Sequence, residues 1–68
     1  MSITLETAIL AALKSGSMLT IATIARNVNI TERQARRAAI NLQRSDFAFE
    51  NRRAEWQITP AGRTAAAR

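Results

Sequence analysis

Neither cysteine nor histidine occurs among the 68 residues. Together the two absences remove disulfide scaffolds, structural zinc, and thiol or imidazole catalysis. No long hydrophobic run is present either, since the longest uncharged apolar stretch, Ala8 to Leu13, is far too short to span a bilayer. The amino terminus, Met1-Ser2-Ile3-Thr4-Leu5-Glu6, puts no basic segment ahead of an apolar one and does not read as a leader. A cytoplasmic protein is expected, with no membrane partner. Acidic residues are scarce, five against ten Lys and Arg, for a formal charge of +5. A chain this short buries only ~60% of its unfolded surface, so residues 1–68 are expected to form one compact unit with no second, ligand-binding domain. Its 47% hydrophobic content nevertheless suffices for a core and sets it apart from a disordered basic tail.

Nine of the ten basic residues are Arg, whose planar fork suits phosphates and guanine edges better than the point charge of Lys. Nucleic acid therefore ranks first among partners. Acidic proteins and anionic lipid surfaces attract the same charge, so the placement of the arginines has to decide.

From Thr4 onward Leu5, Ala8, Ile9, Ala12 and Leu13 recur at helical spacing, with Thr4 as cap and Gly16 as stop, predicting a first helix over about 4–15. Leu10 falls off this face, which leaves it either beneath another element or exposed to a partner. Met18 and Leu19 read as a short connector. Thr20 then caps a second helix over about 21–28, and Asn29 supplies a residue tolerant of positive φ for a tight turn anchored by Ile30. Thr31 caps a third helix over about 32–45, with Glu32 in its first turn and Asp46 as its stop. Phe47 to Glu50 and Glu55 to Ile58 alternate as strands around Asn51-Arg52-Arg53-Ala54, giving a hairpin over about 47–58. Thr59-Pro60 opens a short alanine-rich helix over about 60–67.

Two short helices joined through Asn29-Ile30 have the spacing of a helix-turn-helix unit. Ile24, Ala25 and Val28 form the inner face of the second helix, and Ala35, Ala38, Ala39 and Leu42 that of the third. With Ala35 at 0°, these last lie within about 60°, whereas Arg33, Arg36, Arg37 and Arg44 fall between about 100° and 200°. The pattern points to the amino-terminal half of the third helix entering a major groove. There Arg33, Gln34, Arg36 and Arg37 would reach base edges or phosphates, and Thr31 with the exposed amides would hold a phosphate. A solvated helix face is the competing explanation, but such a face usually interleaves acids, and Glu32 is the one nearby. Ile40, at about 140°, lies within the arginine arc and has three readings: a thymine-methyl contact, a contact with a second copy, or packing under the hairpin.

Arg52 and Arg53 share the hairpin tip, from which they would reach a minor groove or backbone phosphates; two arginines that merely keep a turn soluble are the bland alternative. From Arg26 to Arg53 seven arginines face Glu32, Asp46 and Glu50, a local charge of +4. Trp56, Ile58, Phe47 and Phe49 read as the strand residues that close the core, with Trp56 in the core rather than stacked on a base. The carboxylates Glu6, Glu32, Asp46, Glu50 and Glu55 are scattered, so no paired-acid active site, enzyme activity, metal or cofactor is expected.

Leu19-Thr20, Ile24-Ala25 and Ile30-Thr31 are spaced as in the Leu-Thr, Leu-Ala, Leu/Ile-Ser/Thr run of bacterial winged-helix regulators. Trp56-Gln57-Ile58-Thr59-Pro60-Ala61-Gly62-Arg63 is similar to the Tyr-x-Leu-Thr-x-x-Gly-Arg run that leads from wing to final helix in regulators of the MarR and PadR types. From about Leu5 to Ala66 the sequence resembles the winged helix-turn-helix superfamily. The resemblance implies a mainly α fold with a small β-hairpin: a three-helix core, a two-stranded wing and a short carboxy-terminal helix. It also implies a recognition helix from Thr31 to Arg37, a wing at Arg52-Arg53, and a sequence-specific double-stranded DNA-binding regulator of transcription. Such regulators normally continue into dimerisation helices or a ligand pocket, and this sequence ends at Arg68, so no small-molecule effector is expected. A homodimer or a larger protein partner would extend the short DNA site. The alternative function is a protein-interaction module or accessory factor that grips an acidic partner through the positive surface or through Leu10 and Ile40.

Overall fold

The computed structural model describes residues 4–67. Met1, Ser2, Ile3 and Arg68 lie outside the described residues, and with them the first half of the amino-terminal segment that does not read as a leader. The described residues form four helices: α1 (Leu5–Leu13), α2 (Ile21–Val28), α3 (Glu32–Arg44) and α4 (Pro60–Ala66). Each starts at a threonine whose hydroxyl accepts a backbone N–H three residues on: Thr7 to Thr4 at 3.1 Å, Thr23 to Thr20 at 3.3 Å, Gln34 to Thr31 at 3.1 Å and Gly62 to Thr59 at 3.0 Å. Each cap satisfies one of the amides that helix geometry leaves unpaired.

Two helix ends are closed by left-handed residues other than glycine. Asn29 (φ 62) stops α2, and the next amide, of Ile30, returns to the Ala25 carbonyl at 3.0 Å. Asp46 (φ 62) stops α3 in the same way, with Phe47 N–H on Leu42 O at 2.9 Å and Asp46 N–H on Gln43 O at 3.0 Å. These paired bonds turn the chain sharply and leave Ile30 and Phe47 packed against the core.

Among the described residues the sheet has three strands, one more than the hairpin read from the sequence. Strand β1 (Leu19–Thr20) lies where a connector was expected, while β2 (Ala48–Glu50) and β3 (Glu55–Ile58) form the hairpin. All pairing is antiparallel in the order β1-β3-β2, with Leu19 opposite Trp56 and Ala48 opposite Ile58. This register corrects the expectation for Phe49. Phe47 belongs to the α3 end rather than to the strand, so Ala48 takes the inward position, and Phe49, opposite Gln57, is 42% exposed.

The core joins Ile9, Leu10 and Leu13 of α1, Ile21, Ile24 and Ala25 of α2, the alanines and Leu42 of α3, and Trp56 and Ile58 of β3. Leu10, left open by the sequence, is buried, on a helix that touches β3 and α4 as well as the other two core helices. Burial removes Leu10 from any partner surface. The Trp56 indole N–H is buried with no hydrogen-bond partner among the described residues, so within them it contributes apolar volume at the cost of one unpaired donor.

The Thr59-to-Arg63 stretch has a physical explanation. Thr59 O–H donates to the Asp46 carbonyl and its N–H to the Phe47 carbonyl at 3.0 Å, tying α4 to the end of α3. Gly62 sits directly over that junction, where a Cβ would lie 2.1 Å from the Phe47 oxygen and 2.8 Å from Ile58 Cγ1. Arg63 reaches the turn after α1, near enough that a Cβ on Gly16 would stand 3.2 Å from its guanidinium. A cation there also complements the carboxyl-terminal end of the α1 dipole.

Candidate nucleic-acid interface

Helix α3 divides by angle. Ala35, Ala38, Ala39 and Leu42 are each at most 3% exposed, whereas Arg33, Arg36, Arg37 and Ile40 line one open depression on the opposite side. Their spacing, three, four and seven residues from Arg33, stacks them over two turns of one face. Small alanines on the inner face let α3 sit close to α1 and α2, and Asn41 Nδ2 donates to Glu6 Oε1 at 3.3 Å across the α1 contact. The arginine face is thereby held on a packed element.

The first turn of α3 is a reciprocal capping box. Thr31 Oγ1 accepts the Gln34 amide, while Gln34 Oε1 accepts the Thr31 backbone N–H at 3.0 Å and its hydroxyl at 3.3 Å. Both residues were read from the sequence as nucleic-acid contacts, and here each spends an acceptor within the protein. Thr31 and Gln34 stay exposed, and the Gln34 NH₂ keeps its donors, but the bidentate donor–acceptor geometry by which glutamine reads adenine would require breaking the box. Gln34 stands beside Arg37, Asn41 and Glu6 on the α1 flank of the arginine face.

The opposite flank meets the wing. Arg36, Glu32, Glu50 and Ala54 share a groove with Thr20, Ile21 and Ala22 at the start of α2. Glu32 is therefore not the one acid near the arginines, because folding brings Glu50 to the same edge. Glu32 and Arg36 are also four residues apart with the acid leading, the favourable order on a helix.

At the wing tip, Asn51 N–H bonds Glu55 O at 2.9 Å and Ala54 N–H bonds Asn51 O at 3.1 Å. Arg52, Arg53 and Ala54 thus form a three-residue loop closed by a left-handed residue, with Ala54 (φ 60) where glycine usually sits. The Asn51 side chain organises it: Oδ1 accepts the amides of Arg53 at 2.8 Å and Glu55 at 3.0 Å, and Nδ2 donates to Glu55 Oε1 at 3.2 Å and Met18 Sδ at 3.7 Å. The sequence reading passed over this residue, although asparagine opening a polar turn is the signal for such a side-chain bracket. Arg52 and Arg53 are exposed on the ordered loop.

The structure therefore gathers Arg33, Arg36 and Arg37 with Ile40, and places Glu50 and Ala54, at the tip end of the wing, beside Arg36. Arg44 is not part of that depression. It is exposed in the last turn, about 16 Å along the helix axis from Arg33, where the dipole favours a cation. Ile40 is 39% exposed and does not pack under the hairpin. Among the described residues no group of acidic, Cys or His side chains is arranged to hold a metal ion, and no helix is long and apolar enough to cross a membrane.

The architecture is a winged helix-turn-helix fold. A MarR family transcriptional regulator from Silicibacter pomeroyi superposes with a TM-score of 0.85 at 19% identity, over 93% of this chain and 47% of that one. A variant of ZitR from Lactococcus lactis matches at a TM-score of 0.80 and 19% identity, over 98% of this chain and 49% of that one. The Zalpha domain of PKZ from Carassius auratus, in complex with Z-DNA, matches at 0.74 and 24% identity, over 81% of this chain and 92% of that one. The chain thus spans about half the length of the first two and nearly the whole of the third. No family model matches the sequence, and no curated protein is significantly similar to it.

Proposed function

We propose that the protein is a sequence-specific, double-stranded DNA-binding regulator of transcription. In this reading the amino-terminal half of α3 lies in the major groove and Arg52 and Arg53 of the wing rest on the backbone or minor groove. The observation that carries it is the open face formed by Arg33, Arg36, Arg37 and Ile40 on a helix whose opposite side is fully packed. Arginine pairs bidentately with guanine O6 and N7, and each good pair contributes about 1–3 kcal/mol of discrimination. The likeness to a transcriptional regulator and to a domain complexed with Z-DNA supports nucleic acid as the partner class. With so short a recognition surface, useful specificity calls for two copies on neighbouring half-sites or a larger protein partner.

Fluorescence-anisotropy titration tests the proposal, using a duplex selected from genomic fragments, a scrambled duplex, and an alternating dC/dG duplex held in the Z form, each at two salt concentrations. Tighter binding to the selected duplex that persists at the higher salt is expected, because phosphate contacts alone weaken steeply as salt rises. Equal binding to the first two that collapses with salt would overturn sequence reading and favour a protein partner for the positive surface. Preference for the Z form would overturn the groove assignment.

A further inference from the structure

Packing within the fold accounts for every large apolar residue of α3 except Ile40. Three large hydrophobic side chains are exposed among the described residues, Met18, Ile40 and Phe49, and Ile40 alone of these is on a helix. It stands one turn beyond Arg36 and Arg37 and two turns beyond Arg33, and the same open depression contains all four. A branched hydrocarbon among three guanidinium groups gains nothing from phosphates, since it carries neither charge nor hydrogen-bonding group. A second copy docked on this face through Ile40 would set three arginines against three more, a like-charge contact.

Resting on the DNA reading above, the geometry points to Ile40 as a specificity-determining residue that contacts the C5-methyl group of thymine. In the major groove that methyl is the apolar feature of an unmodified base pair, and 5-methylcytosine presents the same group. The flanking arginines supply the charge that brings the helix to the groove. Ile40 supplies a contact that is insensitive to salt and present only where the methyl is. Because Ile40 lies about 10 Å along the helix axis from Arg33, the methyl it reads falls within about three base pairs of the positions that Arg33 influences.

The test begins with the duplex that the intact protein selects from a random-sequence pool. Each thymine is replaced singly by deoxyuridine, which lacks only the methyl, and the duplexes are titrated with the original protein, Ile40→Ala and Ile40→Val. One replacement is expected to weaken the original protein roughly fourfold, the factor for burying one methyl group. Ile40→Ala should lose that sensitivity, and Ile40→Val should keep most of it. At the same position, 5-methylcytosine in place of cytosine should recover a similar factor. Thermal unfolding of both variants should match the original, because the side chain is exposed. A uridine scan in which no position separates the original protein from Ile40→Ala overturns this role and leaves the DNA reading standing. Failure of the original protein to bind any duplex overturns both.

Discussion

On α3 the side facing the helical core carries Ala35, Ala38, Ala39 and Leu42, almost completely buried, and the side facing away carries Arg33, Arg36, Arg37 and Ile40 in the open. The inner side is built for closeness: alanines bring the helix axes together, so stability there depends on what is small. The outer side is built for reach, with long cationic side chains around one branched apolar residue that packing leaves uncovered. Substitutions on the inner side should therefore move stability, and those on the outer side should move binding at constant stability. The wing follows the same division, since Asn51 fixes its backbone and Arg52 and Arg53 are left exposed.

The largest expected effect comes from crowding the inner side. Ala35→Leu places a bulky side chain at a position that is 0% exposed, and should cost about 2–3 kcal/mol by urea unfolding. In a domain of this size that lowers Tm by more than about 10 °C. A shift of a degree or two would show that α3 does not pack as described. On the outer side, Arg36→Ala and Arg37→Ala should each weaken specific duplex binding by about 1–3 kcal/mol while stability stays within about 0.5 kcal/mol. Unchanged affinity in both would remove the face from the interface.

Smaller effects sharpen the boundary between the two sides. Thr31→Ala breaks the capping box and should reduce unfolding free energy by about 1 kcal/mol. A variant as stable as the original would contradict the capping role assigned to Thr31. Ala54→Gly relieves a left-handed residue at the wing tip and should raise stability by about 0.5 kcal/mol, with duplex affinity unchanged. A loss of stability would contradict the loop geometry assigned to Arg52, Arg53 and Ala54.

Much of this division is legible in the sequence, for identifiable reasons. Threonine caps and a 3.6-residue apolar period mark the helices locally, Asn29 marks the helix-turn-helix turn, and angular arithmetic alone separates Ala35 from Arg36. Contacts between distant segments were harder to read. Two residues are too few to announce β1, whose existence depends on pairing Leu19 with Trp56. Phe49 alternates correctly with Phe47, but the α3 end consumes Phe47 and shifts the inward position to Ala48. Leu10 is buried on a helix that packs against α4 and β3 as well as α2 and α3, neighbours that no helical wheel of α1 contains. Glu50 reaches the edge of the arginine face only because the wing folds back beside Arg36. Gln34 illustrates a different gap: its residue type suits adenine and a capping box equally, and geometry shows it in the box.

The central claim is that the outer side of α3, with the wing, is where nucleic acid meets this protein. The most direct measurement is residue-resolved NMR during titration with the selected duplex, following backbone amides and the Ile40 methyl groups. The account predicts the largest shifts at Arg33, Arg36, Arg37, Ile40, Arg52 and Arg53, with the buried alanines of α3 little changed. Shifts concentrated instead at Met18 and Phe49 on the sheet, or along the exposed side of α1, would contradict it.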